Sequence, residues 1–372
     1  AVREFPTSTG EVDYALFIDG EPAGVVEAKR EEAGQSITDV EIQSGRYAHS
    51  TFKWVRKDYF IRFAYEATDK LIRFTDYKDI KYRSRTVFSF HRPETLRELL
   101  RQPDTIRNNM KHFPVLDETG FRKCQVNAIK KLEESFADNR PKALVQMATG
   151  AGKTFTAITA SYRLLKYGKI NRILFLVDTK GLGEQAEREF LAYTPTDDRR
   201  LTSSYIPGDV QVCISTIQRM YSILKGEELD ESAEETSFAE FTTAESKAPK
   251  EVVYNEKYPP EFFDVIIVDE CHRSIYNVWS QVLSYFDAFV VGLTATPDNR
   301  TFAFFNENIV SEYPREQAIV DGVNVGEDIF LIETNVGKNG GHLMKQLIEY
   351  RDRLSRAKRW KQLDEDVHYQ PT

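Results

Sequence analysis

The stretch MATGAGKT, residues 147–154, stands between a short apolar run and a segment with helical character, FTAITASYRLLKYG. A glycine-rich turn in that position lets backbone N–H groups surround a phosphate at a helix N-terminus, where the helix dipole also favours anions. A lysine adds a point charge for the β and γ phosphates, and a threonine adds a hydroxyl ligand for Mg²⁺. The alternative is a glycine turn without a ligand, which the Lys-Thr pair disfavours. The candidate nucleotide-binding residues are Thr149, Gly150, Ala151, Gly152, Lys153 and Thr154.

Short continuous apolar runs alternate with helical stretches from about residue 120 onward. This alternation is typical of a parallel sheet whose strands are buried on both faces by crossover helices. The sequence therefore predicts an α/β domain around the phosphate loop, built on the runs KALVQMA, RILFLVD, VQVCIST, FDVIIVDE and FVVGLTA.

The part of the chain before residue 110 has a different pattern. Residues 13–19 and 24–28 are strand-like and flank a turn at Gly20, which indicates a hairpin. Residues 58–74 alternate apolar and polar positions around a polar turn and predict a second hairpin. Together they predict a mixed-sheet domain, so the whole chain is assigned to the α/β class.

Changes in composition suggest the domain boundaries. A polar stretch with two prolines, residues 101–118, separates the two patterns, and we place the domains at 1–110, 111–310 and 311–372. Residues 226–260 are rich in Glu, Ser, Thr and Ala and poor in large aliphatics, which predicts a flexible surface insertion without a catalytic role.

The last 32 residues are basic and helical in character in their first half. Four arginines there allow a DNA-binding interpretation, but a solvated helix face is the favoured one. These arginines are Arg351, Arg353, Arg356 and Arg359.

The stretch VIIVDECH, residues 265–272, ends a buried strand with two acids, which would be costly there without a cation to bind. Asp269 is the candidate Mg²⁺ ligand and Glu270 the candidate group that orients or deprotonates an attacking water. His272 is either a polar cap of the strand end or a link between the nucleotide state and the next motif.

That next motif is GLTATP, beginning at residue 292. Its hydroxyls, Thr294 and Thr296, mark either an ordinary strand exit or a coupling element. The order of phosphate loop, DECH and GLTATP resembles the superfamily 2 helicases and translocases, whose motor lobes have a RecA-like fold. In that family Gln125, within FRKCQVNAI, would match the glutamine that contacts adenine. LVDTKGLGEQA at 176–186 and ISTIQRMY at 214–221 would match contacts to the DNA backbone, or they are plain strand-to-helix loops.

The stretch VVEAKRE, residues 25–31, carries a second candidate site. A metal-dependent nuclease needs two carboxylates for Mg²⁺ and an amine near the attacking water. Asp13 begins one predicted strand, Glu27 lies late on the next, and Lys29 points to the same face as Glu27 by the two-residue period of a strand. By itself this D…ExK pattern is weak, because acids and lysines are common at strand ends.

The stretch QSGRY, residues 43–47, adds context to that pattern, because Gln43 and Tyr47 lie on one face of a probable helix. A surface pair on a helix is the alternative. D…ExK, then QxxxY, then a superfamily 2 motor resembles the restriction (R) subunit of type I restriction-modification enzymes, in which a PD-(D/E)xK nuclease precedes the motor. The resemblance covers about residues 11–322, ending near PREQAIVDG.

The resemblance implies ATP and Mg²⁺ as cofactors, with Thr154 and Asp269 holding the Mg²⁺ of ATP. It implies Asp13, Glu27 and Lys29 as the cleavage site, with the carboxylates as Mg²⁺ ligands and Gln43 and Tyr47 in support. The implied partners are double-stranded DNA and the methylation and specificity subunits of such a complex. We expect a fragment that lacks upstream sequence and a second motor lobe, and that therefore binds nucleotide weakly and does not translocate.

Composition narrows the remaining possibilities. The chain has 372 residues, 41% hydrophobic and 29% charged, which suffices for two or three domains. A net charge of −8 argues against a small histone-like DNA binder but permits a local basic channel. Three separated cysteines favour a reducing compartment, and no run is long enough to span a membrane. We therefore expect a cytoplasmic protein with no membrane partner.

Two other functions remain open. One is a superfamily 2 DNA or RNA helicase whose N-terminal region is an accessory fold without nuclease activity. The other is a nucleotide-regulated DNA-binding module that does not catalyse hydrolysis. The acid pair Asp269-Glu270 weighs against the second, because a switch without hydrolysis has little need for Glu270.

Overall fold

A computed structural model of the chain describes residues 1–8, 10–28, 52, 61–193, 198–201, 205–229, 234–235, 252–274, 278–326, 340–351, 358–362 and 365–369. They form two compact units, Ala1–Asn324 and Val325–Thr372. The first unit contains a mixed sheet and a parallel sheet.

The mixed sheet has six strands in the order β1-β2-β3-β4-β5-β6. Neighbouring strands are antiparallel except β3 and β4, which are parallel. Two separate apolar clusters pack on it, one around Tyr65 and Phe74 and the other around Ala15 and Val25. The strands are β1 Val2–Thr7, β2 Gly10–Ile18, β3 Glu21–Ala28, β4 Phe63–Ala67, β5 Ile72–Asp76 and β6 Arg85–Val87.

The parallel sheet has seven strands in the order β13-β7-β12-β11-β8-β10-β9. Its central strands are apolar at nearly every position because helices cover both faces, and all six residues of β12 are buried. The strands are β7 Lys142–Met147, β8 Ile173–Val177, β9 Asp198–Arg200, β10 Val212–Thr216, β11 Val265–Val268, β12 Phe289–Thr294 and β13 Ile309–Tyr313.

The helices of the described part of the chain are mostly short. The bounds are α1 Pro93–Arg101, α2 Ile106–Asn109, α3 Lys123–Ala137, α4 Lys153–Tyr167, α5 Lys180–Tyr193, α6 Ile217–Lys225, α7 Cys271–Ser274, α8 Val278–Tyr285, α9 Asn299–Phe304 and α10 Arg315–Val320. Among them, none has both the length and the hydrophobicity that a membrane crossing requires.

Most of the strands predicted from the sequence are confirmed. Both hairpins form, since β2 pairs with β3 and β4 with β5. The five apolar runs are strands β7, β8, β10, β11 and β12, joined by parallel pairing. The sequence did not reveal β1, β6, β9 and β13. All four are edge strands of their sheets, and an edge strand carries no continuous apolar run because one side lacks a neighbour.

The parallel sheet continues past residue 310, where the sequence analysis placed the end of the second domain. Strand β13 pairs with β7, and Tyr313 O accepts a hydrogen bond from Ala148 N next to the phosphate loop. The second compact unit begins only at Val325. The third predicted domain, 311–372, therefore begins within a strand of the parallel sheet.

The predicted flexible surface insertion at 226–260 needs correction where the structure describes it. Glu234 is 3% exposed and forms a buried ion pair with Arg219 of α6, while the Thr216 hydroxyl donates to the same carboxylate. Toward the other end, Tyr258 is buried and Asn255 donates to the carbonyl of Leu224. The amino-acid composition did not predict this burial, because a single buried ion pair can anchor a segment that is otherwise polar.

We expect Glu234→Gln to lower the free energy of unfolding by about 3–5 kcal/mol, because the change leaves the Arg219 guanidinium buried without its carboxylate. The exposed neighbour Glu235 offers a matched control, since Glu235→Gln removes the same charge one residue away. Chemical denaturation of both variants measures the difference. Equal midpoints for the two variants would contradict the anchoring role of Glu234.

The predicted basic helix in residues 341–372 is wrong. In the second unit, β14 Gly341–Leu343 pairs with β17 Val367–Tyr369, and β15 Leu347–Arg351 pairs with β16 Lys358–Gln362, both antiparallel. Lys358 also forms an ion pair with Glu349 across the ladder at 3.2 Å. Cross-strand bonds of this kind override helix propensity, which is a weak preference. Arg353 and Arg356 lie outside the described residues.

Candidate functional site

The phosphate loop follows β7 and leads directly into α4. Gly150 and Gly152 have φ angles of +79° and +90°, a left-handed conformation that side chains with a Cβ rarely adopt. A Cβ at Gly152 would also lie 2.3 Å from Nε2 of Gln125 and would displace that side chain, so the left-handed conformation and the Gln125 contact both favour glycine. Thr149 and Ala151 lie in this loop, and Thr154 lies in the first turn of α4. The loop geometry fits an anion held at a helix N-terminus.

Gln125 is buried and is tied to the phosphate loop. Its Nε2 donates to the carbonyl of Ala151 at 3.0 Å, and its Oε1 accepts from the backbone N of Arg122 at 3.0 Å. Arg122 Nη1 in turn donates to the carbonyl of Gly150 at 2.7 Å. In this geometry the Gln125 side chain braces the loop. The sequence analysis missed Arg122, although its cationic side chain three residues before Gln125 was a visible signal.

The acid pair lies at the end of β11, next to the phosphate loop. Lys153 Nζ is 3.2 Å from Glu270 Oε1, and Glu270 N donates to Asp269 Oδ1 at 3.0 Å. Glu270 has a φ of +45°, an uncommon angle for a residue with a side chain. Burial and then the neighbouring charge of Glu270 raise the pKa of Asp269 to about 6. Two crowded carboxylates in a partly buried site fit a divalent cation, which would stabilise both charges.

His272 connects the acid pair with the end of β12. Its Nδ1 lies 2.9 Å from the hydroxyl of Thr294 and 3.6 Å from Glu270 Oε2. The backbone N of Thr296 donates to the same Thr294 hydroxyl at 3.1 Å. Burial lowers the pKa of His272, which favours the neutral imidazole. The structure thus brings together the three residues that the sequence suggested as coupling elements.

The two loops suggested as DNA contacts have well-defined anchors. Asp178 follows β8 and is 1% exposed. Its Oδ2 lies 3.6 Å from Nη1 of Arg273 in α7, the short helix that follows the acid pair. Thr216 caps α6 by accepting from Arg219 N at 3.3 Å. These contacts position the loops beside the acid pair and the insertion, respectively. DNA binding by either loop stays a prediction.

The candidate nuclease residues Asp13 and Glu27 lie at the same end of the β2–β3 pair. Tyr14 faces Val26 in this register, so Asp13 and Glu27 form the next opposed pair and point to the same face. Asp13 Oδ2 accepts a hydrogen bond from Ala28 N at 2.7 Å. Glu27 is 4% exposed, whereas Asp13 is half-buried. Two adjacent carboxylates result, and their part in cleavage stays a prediction.

The rest of the predicted nuclease site is not described. Lys29, Gln43 and Tyr47 lie outside the described residues. Glu66 on β4, which the sequence analysis did not anticipate, is buried in register with Glu27. In the described part of the chain, no three His, Cys, Asp or Glu side chains lie close enough to hold a metal ion. The pair Asp13 and Glu27 still fits Mg²⁺, which commonly uses one or two carboxylates and keeps several waters.

Two family descriptions match the chain. The family described as "Type III restriction enzyme, res subunit" matches residues 118–299, which contain the phosphate loop and the acid pair. The family described as "Type I restriction enzyme EcoKI endonuclease subunit second domain" matches residues 1–61, which contain Asp13 and Glu27.

Individual similar proteins are endonuclease subunits of type I restriction enzymes. The type I restriction enzyme EcoKI endonuclease subunit of Escherichia coli (strain K12) is 27% identical over 88% of this chain and 32% of its own length. The EcoAI endonuclease subunit of Escherichia coli is 29% identical over 59% of this chain and 25% of its own. The chain thus spans about a third or less of these two relatives. A solved HsdR fragment from Vibrio vulnificus YJ016 is 24% identical, with a TM-score of 0.38 over 84% of this chain and 51% of that one.

Proposed function

We propose that the chain belongs to the endonuclease subunits of type I restriction enzymes and contributes a nuclease domain and the first lobe of a DNA-translocating motor, which its similarity to these families and relatives supports. In the complete enzyme, ATP hydrolysis drives translocation along double-stranded DNA, and Mg²⁺-dependent cleavage of both strands follows. The observation that carries this proposal is the assembly of Lys153, Glu270 and the His272–Thr294 contact at one edge of a parallel sheet.

In the motor site, the phosphate loop binds the triphosphate and Lys153 neutralises charge on the β and γ phosphates. Asp269 and Thr154 would hold the Mg²⁺ that accompanies ATP. Glu270 orients the attacking water and accepts its proton, a role that requires Lys153 to leave its 3.2 Å contact with Glu270 for the phosphates. His272 reports the nucleotide state to β12 through Thr294.

In the proposed nuclease site, Asp13 and Glu27 would hold Mg²⁺ at the strand end, and Lys29 is assigned the role of the amine that acts on the attacking water. A bound Mg²⁺ there would supply Lewis-acid stabilisation of the charge that develops on the scissile phosphate. Gln43 and Tyr47 support DNA placement or the metal site. The methylation and specificity subunits of the complex would supply target recognition.

The decisive experiment uses the full-length subunit assembled with its methylation and specificity partners. We expect phosphate release from ATP that depends on unmodified target DNA, together with double-strand cleavage that requires both ATP and Mg²⁺. DNA-dependent ATP hydrolysis without any cleavage would favour a helicase with an accessory N-terminal fold. ATP binding that changes DNA affinity without phosphate release would favour a nucleotide-regulated binding module.

A further inference from the structure

The mixed sheet is docked on the amino-terminal edge of the parallel sheet, the edge opposite the phosphate loop. Residues just before the parallel strands make the contacts: Asp287 precedes β12, Glu261 precedes β11 and Asn139 precedes β7. Asp287 pairs with Arg85, Glu261 accepts from Thr95, and Asn139 donates to the carbonyl of Lys81. The nuclease side therefore touches the ends of strands whose other ends carry the nucleotide site.

Asp287 is the centre of this contact. Arg85 of β6 donates two hydrogen bonds to its carboxylate, from Nε to Oδ1 at 2.6 Å and from Nη2 to Oδ2 at 2.8 Å. His91 Nε2 lies 3.4 Å from Oδ2, and Arg107 Nη2 lies 4.0 Å from Oδ1. The Asp287 side chain is 7% exposed. Burial alone would raise the pKa of Asp287, but Arg85 and His91 hold it well below its usual value. We call Asp287, Arg85, His91 and Arg107 the docking cluster.

On the nuclease side, the docking cluster continues into the mixed sheet. His91 Nδ1 lies 2.7 Å from the hydroxyl of Tyr65, a buried residue of β4. Tyr65 directly precedes Glu66, which stands in register with Glu27 of the candidate cleavage site. One hydrogen bond and one strand position therefore separate the docking cluster from the buried acids Glu66 and Glu27.

On the motor side, the docking cluster continues into β12. This strand runs from Phe289, two residues after Asp287, to Thr294, whose hydroxyl contacts His272. It is hydrogen-bonded on both sides, to β7 and to β11, and so behaves as a stiff central strand. A shift of Thr294 with the nucleotide state would move Asp287 along with it.

The contact is not tightly packed throughout. A cavity of about 400 Å³ borders the docking cluster and is lined by Arg85, Arg107, Asp287 and Asp79, among others. Arg107 stands between two carboxylates, with Nε 3.9 Å from Asp79 and Nη2 4.0 Å from Asp287. Neither distance is a hydrogen bond. The Arg107 guanidinium is instead held by Nη1, which donates to Asn139 Oδ1 at 2.6 Å, so Arg107 ties the docking cluster to the residue that precedes β7 by three positions.

We propose that the docking cluster is the joint through which the motor lobe controls the nuclease domain, with Asp287 as the residue that transmits the position of β12 to Arg85 and His91. This inference rests on the proposed function of the two sites. Asp287 is a positioning residue: it lies at the edge opposite the phosphate loop and acts through strand β12 and the mixed sheet.

The test compares Asp287→Asn with the wild type in the full-length, assembled enzyme. Asparagine keeps the shape of the side chain but removes the charge that Arg85 and His91 pair with. We expect ATP hydrolysis within twofold of the wild type, cleavage per ATP hydrolysed reduced about tenfold or more, and faster amide hydrogen exchange in β6. Asp209→Asn is the matched control, because Asp209 is an exposed acid at the same edge of the parallel sheet.

A second, more conservative variant tests whether the effect comes from the Asp287 contact rather than from misfolding. Arg85→Lys keeps the charge but loses the planar fork that makes two bonds to Asp287, and we expect a smaller loss of cleavage per ATP with hydrolysis unchanged. Normal cleavage per ATP in both variants would overturn the proposal, as would a parallel fall of hydrolysis and cleavage. Either result leaves the proposed function intact, since the wild-type enzyme tests that separately.

Discussion

Lys153→Ala in the assembled enzyme is expected to reduce ATP hydrolysis by about a hundred- to a thousandfold and to abolish DNA cleavage with it. The Lys153 ammonium stands at the N-terminus of α4 and contacts Glu270 at 3.2 Å, where the β and γ phosphates of ATP would come between them. Removing a group that stabilises charge in the transition state costs this much in comparable sites. The loss should appear in kcat for phosphate release, measured with saturating target DNA.

Lys166→Ala is the control for this change. Lys166 lies on the same helix α4 but is exposed, and its ammonium contacts the hydroxyl of Tyr162. We expect wild-type hydrolysis and cleavage from this variant. Full restriction by the Lys153→Ala enzyme would refute the motor assignment, because cleavage would then proceed without the phosphate loop.

Asp13→Ala and Glu27→Ala are each expected to reduce DNA cleavage by about a thousandfold while leaving DNA-dependent ATP hydrolysis within twofold of the wild type. Each change removes one of two adjacent carboxylates, and a metal ion commonly supplies several kcal/mol of transition-state stabilisation in such a reaction. The proposed nucleotide site should be unaffected because its residues lie on the parallel sheet. Gel analysis of circular DNA separates nicked, linear and intact products.

Glu11→Ala is the control for the nuclease variants. Glu11 is an exposed acid on the same strand as Asp13, two residues away, so the change removes an equal charge from β2. Unchanged cleavage is expected. If the assembled enzyme still cuts DNA after either Asp13→Ala or Glu27→Ala, the D…ExK assignment is wrong, and a helicase with an accessory fold becomes the better interpretation.

The sequence was most informative where the residues that form a feature are neighbours along the chain. The phosphate loop was identified because a glycine turn, a lysine and a hydroxyl at fixed spacing serve few purposes other than binding phosphate. The central strands were identified because burial on both faces requires continuous apolar runs. Residues Asp269, His272 and Thr294 were identified from the same strand ends, and the structure places them beside the loop.

The sequence misled where an element depends on distant partners. The tail that reads as a basic helix forms strands, because pairing with residues up to 28 positions away satisfies its backbone, as between Gly341 and Tyr369. The polar insertion contains a buried anchor, because Arg219 on α6 supplies the countercharge for Glu234. Neither partner can be identified from composition within the segment itself.

By itself, the sequence predicted the class of fold, the central strands of both sheets and the candidate residues of a nucleotide site, because each follows from spacing and periodicity within a few residues. Only the tertiary structure decided the four edge strands, the brace of Gln125 and Arg122 on the phosphate loop, and the docking cluster around Asp287. The physical reason is that an ion pair such as Arg85–Asp287, which joins residues 202 positions apart, leaves no periodic trace in the chain and exists only once two sheets have packed together.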